Sequence, residues 1–206
     1  MATKLILVRH GETNWNKESR FQGNKDIALN QRGESQAQKL AQRLAEEEID
    51  VIYSSDLDRA HKTAQIIAAK HNLAVQTHSN LQEIDFGVWE GLTYQEINEQ
   101  YPNEFESWKE NPEVNNPEGG ESLKDIESRV CQALTEILEE HEGKTILIAA
   151  HGGVNRVAIS NFLDMPLDRC WRLSQDNTAV NIINFYHSQI ILDMFNSTFH
   201  LRGDSH

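Results

Sequence analysis

The chain has 206 residues and a formal charge of −13, with 32 acidic side chains against 19 basic ones. That length supports one sizeable core without metal or disulfide staples, and the acidity argues against a nucleic-acid or anionic-membrane surface, which would need a basic face. Cys131 and Cys170 lack CxxC spacing and read as reduced thiols of a cytoplasmic protein, and no apolar window approaches the length of a membrane span.

The first element is a strand. Leu5, Ile6, Leu7 and Val8 make an aliphatic run too short for a helix core, as expected of a strand covered on both faces. Arg9, His10 and Gly11 follow at its carboxyl end. A helix comes next, with Asn30 as N-cap and Ala37, Leu40, Ala41, Leu44 and Ala45 on one stripe. A short strand at 50–55, a helix at 58–71 with Ala60, Ala64, Ile67 and Ala68 inward, and an extended piece at 73–78 complete a β-α-β-α-β order.

Between about 92 and 121 the pattern changes to two short helical segments, around YQEINEQ and EFESWKE, and then a loop rich in Pro, Gly and Asn. This reads as a lid-like excursion above the sheet, within a single domain spanning 1–206. A long helix capped by Ser122 carries Leu123, Ile126, Val130, Leu134, Ile137 and Leu138. After Gly143 comes KTILIAAHGGVNR, a second aliphatic strand ending in a histidine. A helix at 154–163 and a hairpin built from VNIINFY and IILDMF close the chain. This order implies an α/β three-layer sandwich: a mostly parallel central sheet with helices on both faces.

Two strands thus end in RHG and HGG, and in a parallel arrangement both endings fall on one edge of the sheet, where ligands of open α/β folds bind. Arg59 lies at the start of the helix after the strand at 50–55, and Glu83 follows the extended piece at 73–78. Arg9, Arg59, His10 and His151 can surround a phosphoryl group, with the helix N-terminus after Gly152 adding donors. A neutral imidazole is then a nucleophile needing no separate base, and Glu83 can protonate the leaving alkoxide and afterwards draw a proton from water.

In order and spacing, RHGETNWN, SSDLDRAHKTA, EIDFGVWEGLT, PEGGES and AAHGGVNR resemble the histidine phosphatase superfamily, in its phosphoglycerate-mutase-like branch, over roughly residues 4 to 165. The resemblance implies a phosphohistidine at His10, a phosphate-binding set of Arg9, Arg59 and His151, and a proton donor at Glu83. Asn16 and the backbone around Gln22 and Gly23 are similar to further pocket groups, with Gly152 a backbone contributor. It implies catalysis without cofactor or metal on a small phosphorylated metabolite, such as α-ribazole phosphate, phosphoserine, or a sugar or glycolytic phosphate. The tail NSTFHLRGDSH is similar to the end of metal-independent phosphoserine phosphatases, whereas Phe86 stands where those enzymes often carry a histidine.

Residues 92–121 hold one cation, Lys109, against eight glutamates, which would repel the second phosphate a mutase needs. A monophosphatase is therefore expected, with a cofactor-dependent phosphoglycerate mutase and a non-catalytic phospho-ligand-binding module as the alternatives. Zinc at His10 and His151 is disfavoured because no third ligand sits at suitable spacing. His61, His71, His78, His141, His187 and His206 read as solvated bystanders and His200 is left open; Trp15, Trp89, Trp108 and Trp171 read as packing. The Arg202-Gly203-Asp204 tripeptide reads as incidental, and a homodimer is left open.

Overall fold

A computed structural model describes residues 2–202. Its centre is one six-stranded sheet of order β3-β2-β4-β1-β5-β6. The strands are β1 (Thr3–Arg9), β2 (Val51–Ser54), β3 (Val75–Thr77), β4 (Thr145–Ala150), β5 (Val180–Phe185) and β6 (Ile190–Ser197). The pairs β3-β2, β2-β4 and β4-β1 are parallel, while β5 and β6 add an antiparallel edge. The expected α/β sandwich is present.

Side-chain alternation on the central strands divides the core in two. After the single-turn helix α1 (Asn14–Lys17), the longer helices form two layers: Ile6, Val8, Leu147 and Ala149 face α2 (Gln31–Leu44) and α3 (Asp58–His71), and Leu5, Leu7, Ile146 and Ile148 face a layer that includes α6 (Leu123–Glu140) and α7 (Gly152–Phe162). Both faces of β1 and β4 are dry along their middles, which is why Leu5–Val8 and Ile146–Ala150 are aliphatic runs rather than alternating ones. The caps at Asn30 and Ser122 form as read, each side chain accepting from the third backbone amide of its helix.

Three local readings need correction. Ala45 ends α2 as its C-cap and is exposed, because the stripe stops at Leu44. His141 is buried, its Nε2 lying 3.0 Å from the Tyr53 hydroxyl. Helix α7 starts two residues early, at Gly152, immediately after the β4 histidine. His200 is half-buried and sits 3.0 Å from Thr178 Oγ1, while Gly203, Asp204 and His206 lie outside the described residues.

The segment 92–121 contains α4 (Tyr94–Gln100) and α5 (Pro102–Glu110). Ile97 and Phe105 are fully buried in the α6/α7 layer, with Phe105 edge-on to Trp89 at 5.3 Å. Among the described residues no helix is long and apolar enough to cross a membrane.

Candidate active site

The sheet register builds the centre of the site. Arg9 pairs with Ala150 across the parallel β1-β4 ladder, so the next residue on each strand, His10 and His151, leaves the same edge side by side. Their rings lie edge to face with centroids 5.2 Å apart. Both are essentially inaccessible, and the His10 amide is tied to the Ala150 carbonyl at 3.0 Å.

The His10 proton inventory follows from one contact. Nδ1 lies 2.6 Å from the Gly11 carbonyl oxygen, which can only accept, so Nδ1 carries the hydrogen. Burial, reinforced by Arg59 and Arg9, holds the His10 imidazole well below the usual histidine range. In the neutral ring Nε2 therefore bears the free lone pair. Burial also holds His151 well below that range, with Arg59, His10 and Arg9 adding to the effect.

Three guanidinium groups approach this pair. Arg9 donates through Nη1 to the Gln175 carbonyl at 2.6 Å, and burial lowers its pKa to about 10, so it stays cationic at neutral pH. Arg59, the second residue of α3, donates to the Lys25 and Gly23 carbonyls at 2.7 Å each. Gly23 sits at φ +53°, where an added Cβ would lie 1.9 Å from Glu90 Oε1; this turn needs glycine to present its carbonyl to Arg59. Arg156, the third, anchors through Nε to the Leu173 carbonyl at 2.7 Å. Four buried polar atoms of this cage, Arg9 Nε, Arg59 Nε and both nitrogens of His151, have no hydrogen-bond partner. Such orphans are rare in packed cores, and their clustering at strand tips marks a site built for an acceptor-rich ligand.

Glu83 faces the cage from the loop after β3. Its carboxylate accepts from the Ile84 amide at 3.0 Å and from the Gly153 amide at 3.0 and 3.1 Å, so that Glu83 and not the phosphoryl group takes this N-terminal donor of α7. A cavity of about 210 Å³ is walled by Arg9, His10, Asn16, Gln22, Gly23, Arg59, Glu83 and Gly152, that is, every predicted site residue except His151. His151 instead lies beneath the surface against His10. Asn16 and Gln22 are linked through Thr13, and the Asn177 amide ties Asn16 Oδ1 to the His10 carbonyl at 3.2 and 3.1 Å.

Comparison with known proteins agrees with this architecture. Residues 5–198 match the family model described as the histidine phosphatase superfamily (branch 1). The chain belongs to the histidine phosphatase superfamily. Among its relatives, phosphoserine phosphatase 1 of Hydrogenobacter thermophilus is 38% identical, over 96% of this chain and 94% of that protein. Bacillus stearothermophilus YhfR superposes with a TM-score of 0.90 at 34% identity, covering 97% of this chain and 100% of that one. A histidine-to-alanine mutant of Entamoeba histolytica phosphoserine phosphatase, solved with phosphoserine, gives 0.87 at 35% identity, covering 97% and 99%.

Sequence reasoning missed Arg156, which also lines the cavity, and the aromatic wall formed there by Phe21, Phe86 and Trp171. A signal for Arg156 was present: it follows Gly152 by four residues on a helix, which puts the two positions on one face.

Proposed function

We propose that this histidine phosphatase hydrolyses a small phosphate monoester by double displacement at His10, without a metal. The observation that carries this is the His10 ring, its Nδ1 held by the Gly11 carbonyl, packed on His151 inside a cage of arginines and opposite Glu83. The phosphoryl oxygens are held by Arg9, Arg59 and Arg156, whose planar forks suit them. Nε2 attacks phosphorus, the ester bond breaks, and Glu83 donates a proton to the departing alkoxide oxygen. Glu83, now a carboxylate, then takes a proton from the water that attacks the phosphohistidine, releasing phosphate and restoring both groups.

Hydrolysis rather than mutase transfer is favoured by segment 92–121, where Lys109 is engaged by Glu106 at 2.5 Å and no other cation is available for a second phosphate. That segment serves as the specificity wall of one catalytic domain that acts on a cytoplasmic phosphorylated metabolite. The test is phosphate release from p-nitrophenyl phosphate with chelator present, which should persist in the wild type and vanish in His10→Ala. A requirement for divalent ion, or turnover surviving that substitution, would overturn the mechanism. With 3-phosphoglycerate and 2,3-bisphosphoglycerate no 2-phosphoglycerate should form; isomerisation would favour the mutase reading.

A further inference from the structure

Beside the phosphate cavity lies a second one of about 400 Å³, within the range of roughly 300–1,000 Å³ usual for small-molecule sites. Its apolar walls are Phe21, Tyr94, Trp108, Pro112 and Trp171. Phe21 and Trp171 belong to both cavities. Phe86, three residues after Glu83, packs edge-on against Phe21 at 4.8 Å, and the Arg156 guanidinium lies over the Trp171 indole at 5.6 Å. Phe21 and Trp171 are therefore the aromatic side chains that join the phosphate cavity to the trough. Trp108 and Trp171 meet there at 5.6 Å, tilted by 58°.

We propose that this trough takes the alcohol half of the substrate and that this half is a bulky apolar group, an aromatic ring above all, without a carboxylate. The inference rests on the phosphatase reading and adds its substrate class. Charge points the same way as shape. The trough's ionic members are Glu110, Asp168 and Lys109, and Lys109 is already paired with Glu106 and lies over the Phe105 ring. Arg20, on the rim of the phosphate cavity, is held by Glu18 at 2.8 Å and Glu96 at 2.9 Å. A carboxylate on the alcohol would therefore meet two like charges, with Lys109 and Arg20 already paired and Arg156 committed to the phosphoryl oxygens, whereas a ring would bury apolar surface between indoles and phenyl groups.

The experiment compares kcat/KM for 2-phenylethyl phosphate, ethyl phosphate and O-phosphoserine in wild type and Tyr94→Ala. All three are primary alkyl esters, which holds the leaving-group chemistry nearly constant, and Tyr94 is 56% exposed, so its truncation leaves the core intact. Burial of one phenyl ring predicts a phenylethyl-to-ethyl ratio of at least about ten, carried mainly by KM. O-phosphoserine should fall below phenylethyl phosphate, and Tyr94→Ala should lower the ratio several-fold. A ratio near one, a ratio unmoved by Tyr94→Ala, or preference for O-phosphoserine overturns the inference while hydrolysis of ethyl phosphate keeps the phosphatase reading standing. Failure with all three esters overturns that reading as well.

Discussion

Arg129 grips Glu121 with two parallel hydrogen bonds of 2.7 Å, Nε to Oε1 and Nη2 to Oε2. Its other donors hold the carbonyls of Asn80, Gln82 and Glu83 at 2.7–2.9 Å, and Glu121 Oε2 accepts from the Asp85 amide at 2.9 Å. One guanidinium on α6 thus fixes the whole turn that presents Glu83. Lysine cannot reproduce this fork. In Arg129→Lys, kcat should fall about ten- to a hundredfold with KM little changed, since the phosphate cage is untouched. Arg129→Ala should additionally cost about 2–3 kcal/mol in urea unfolding, because Glu121 and three carbonyls lose a charged donor. A parallel rise in KM would mean that Arg129 acts on binding instead.

Gly153 offers a complementary perturbation of the same carboxylate. A Cβ there would lie 2.5 Å from Glu83 Oε1 and 3.3 Å from Ile84 Cγ2. Gly153→Ala should therefore displace Glu83 and lower kcat about tenfold or more. Alanine is the better helix former, so stability should move by no more than about 1 kcal/mol. Circular dichroism melts beside steady-state rates separate the two effects.

Much of this site was legible in the sequence because strand and motif coincide: an aliphatic run ending in RHG and another ending in HGG put both histidines on one edge whenever the two strands run parallel in one sheet. The β1-β4 adjacency itself was not legible, since β4 is the last of the parallel strands in the chain and enters the sheet between β1 and β2. Arg129 looks like any cation on an exposed helix face, and only the return of residues 80–85 against α6 gives it acceptors. His141 reads as a polar residue after an acidic helix, yet Tyr53 from β2 supplies the partner that allows its burial. The aromatic trough joins Phe21, Trp108 and Trp171, far apart in sequence, so spacing carried no trace of it.

Acid sensitivity follows from the buried imidazoles. Burial, with Arg43 and Lys39 nearby, lowers the His200 pKa from 6.5 to about 4. The unfolded chain therefore binds a proton that the folded one refuses in that window, and stability is full above about pH 6.5 and declines as pH falls towards 4. His10 and His151 shift in the same direction and steepen the loss. Urea midpoints measured across this range should drop on acidification, and His200→Gln should reduce the slope. A midpoint that rises on acidification, or a slope unchanged in His200→Gln, would contradict this assignment.

The most direct test of the central claim is to trap the intermediate. With Glu83→Gln, p-nitrophenyl phosphate supplies a leaving group that needs little protonation, so the first displacement should outrun the second and nitrophenol should appear in a burst of one equivalent per site. Peptide mapping after rapid quench should then find an acid-labile, alkali-stable phosphoryl group on the peptide bearing His10, absent from the double variant that also carries His10→Ala. A phosphoryl group on the peptide bearing His151, or a burst with no covalent adduct, would contradict nucleophilic catalysis by His10.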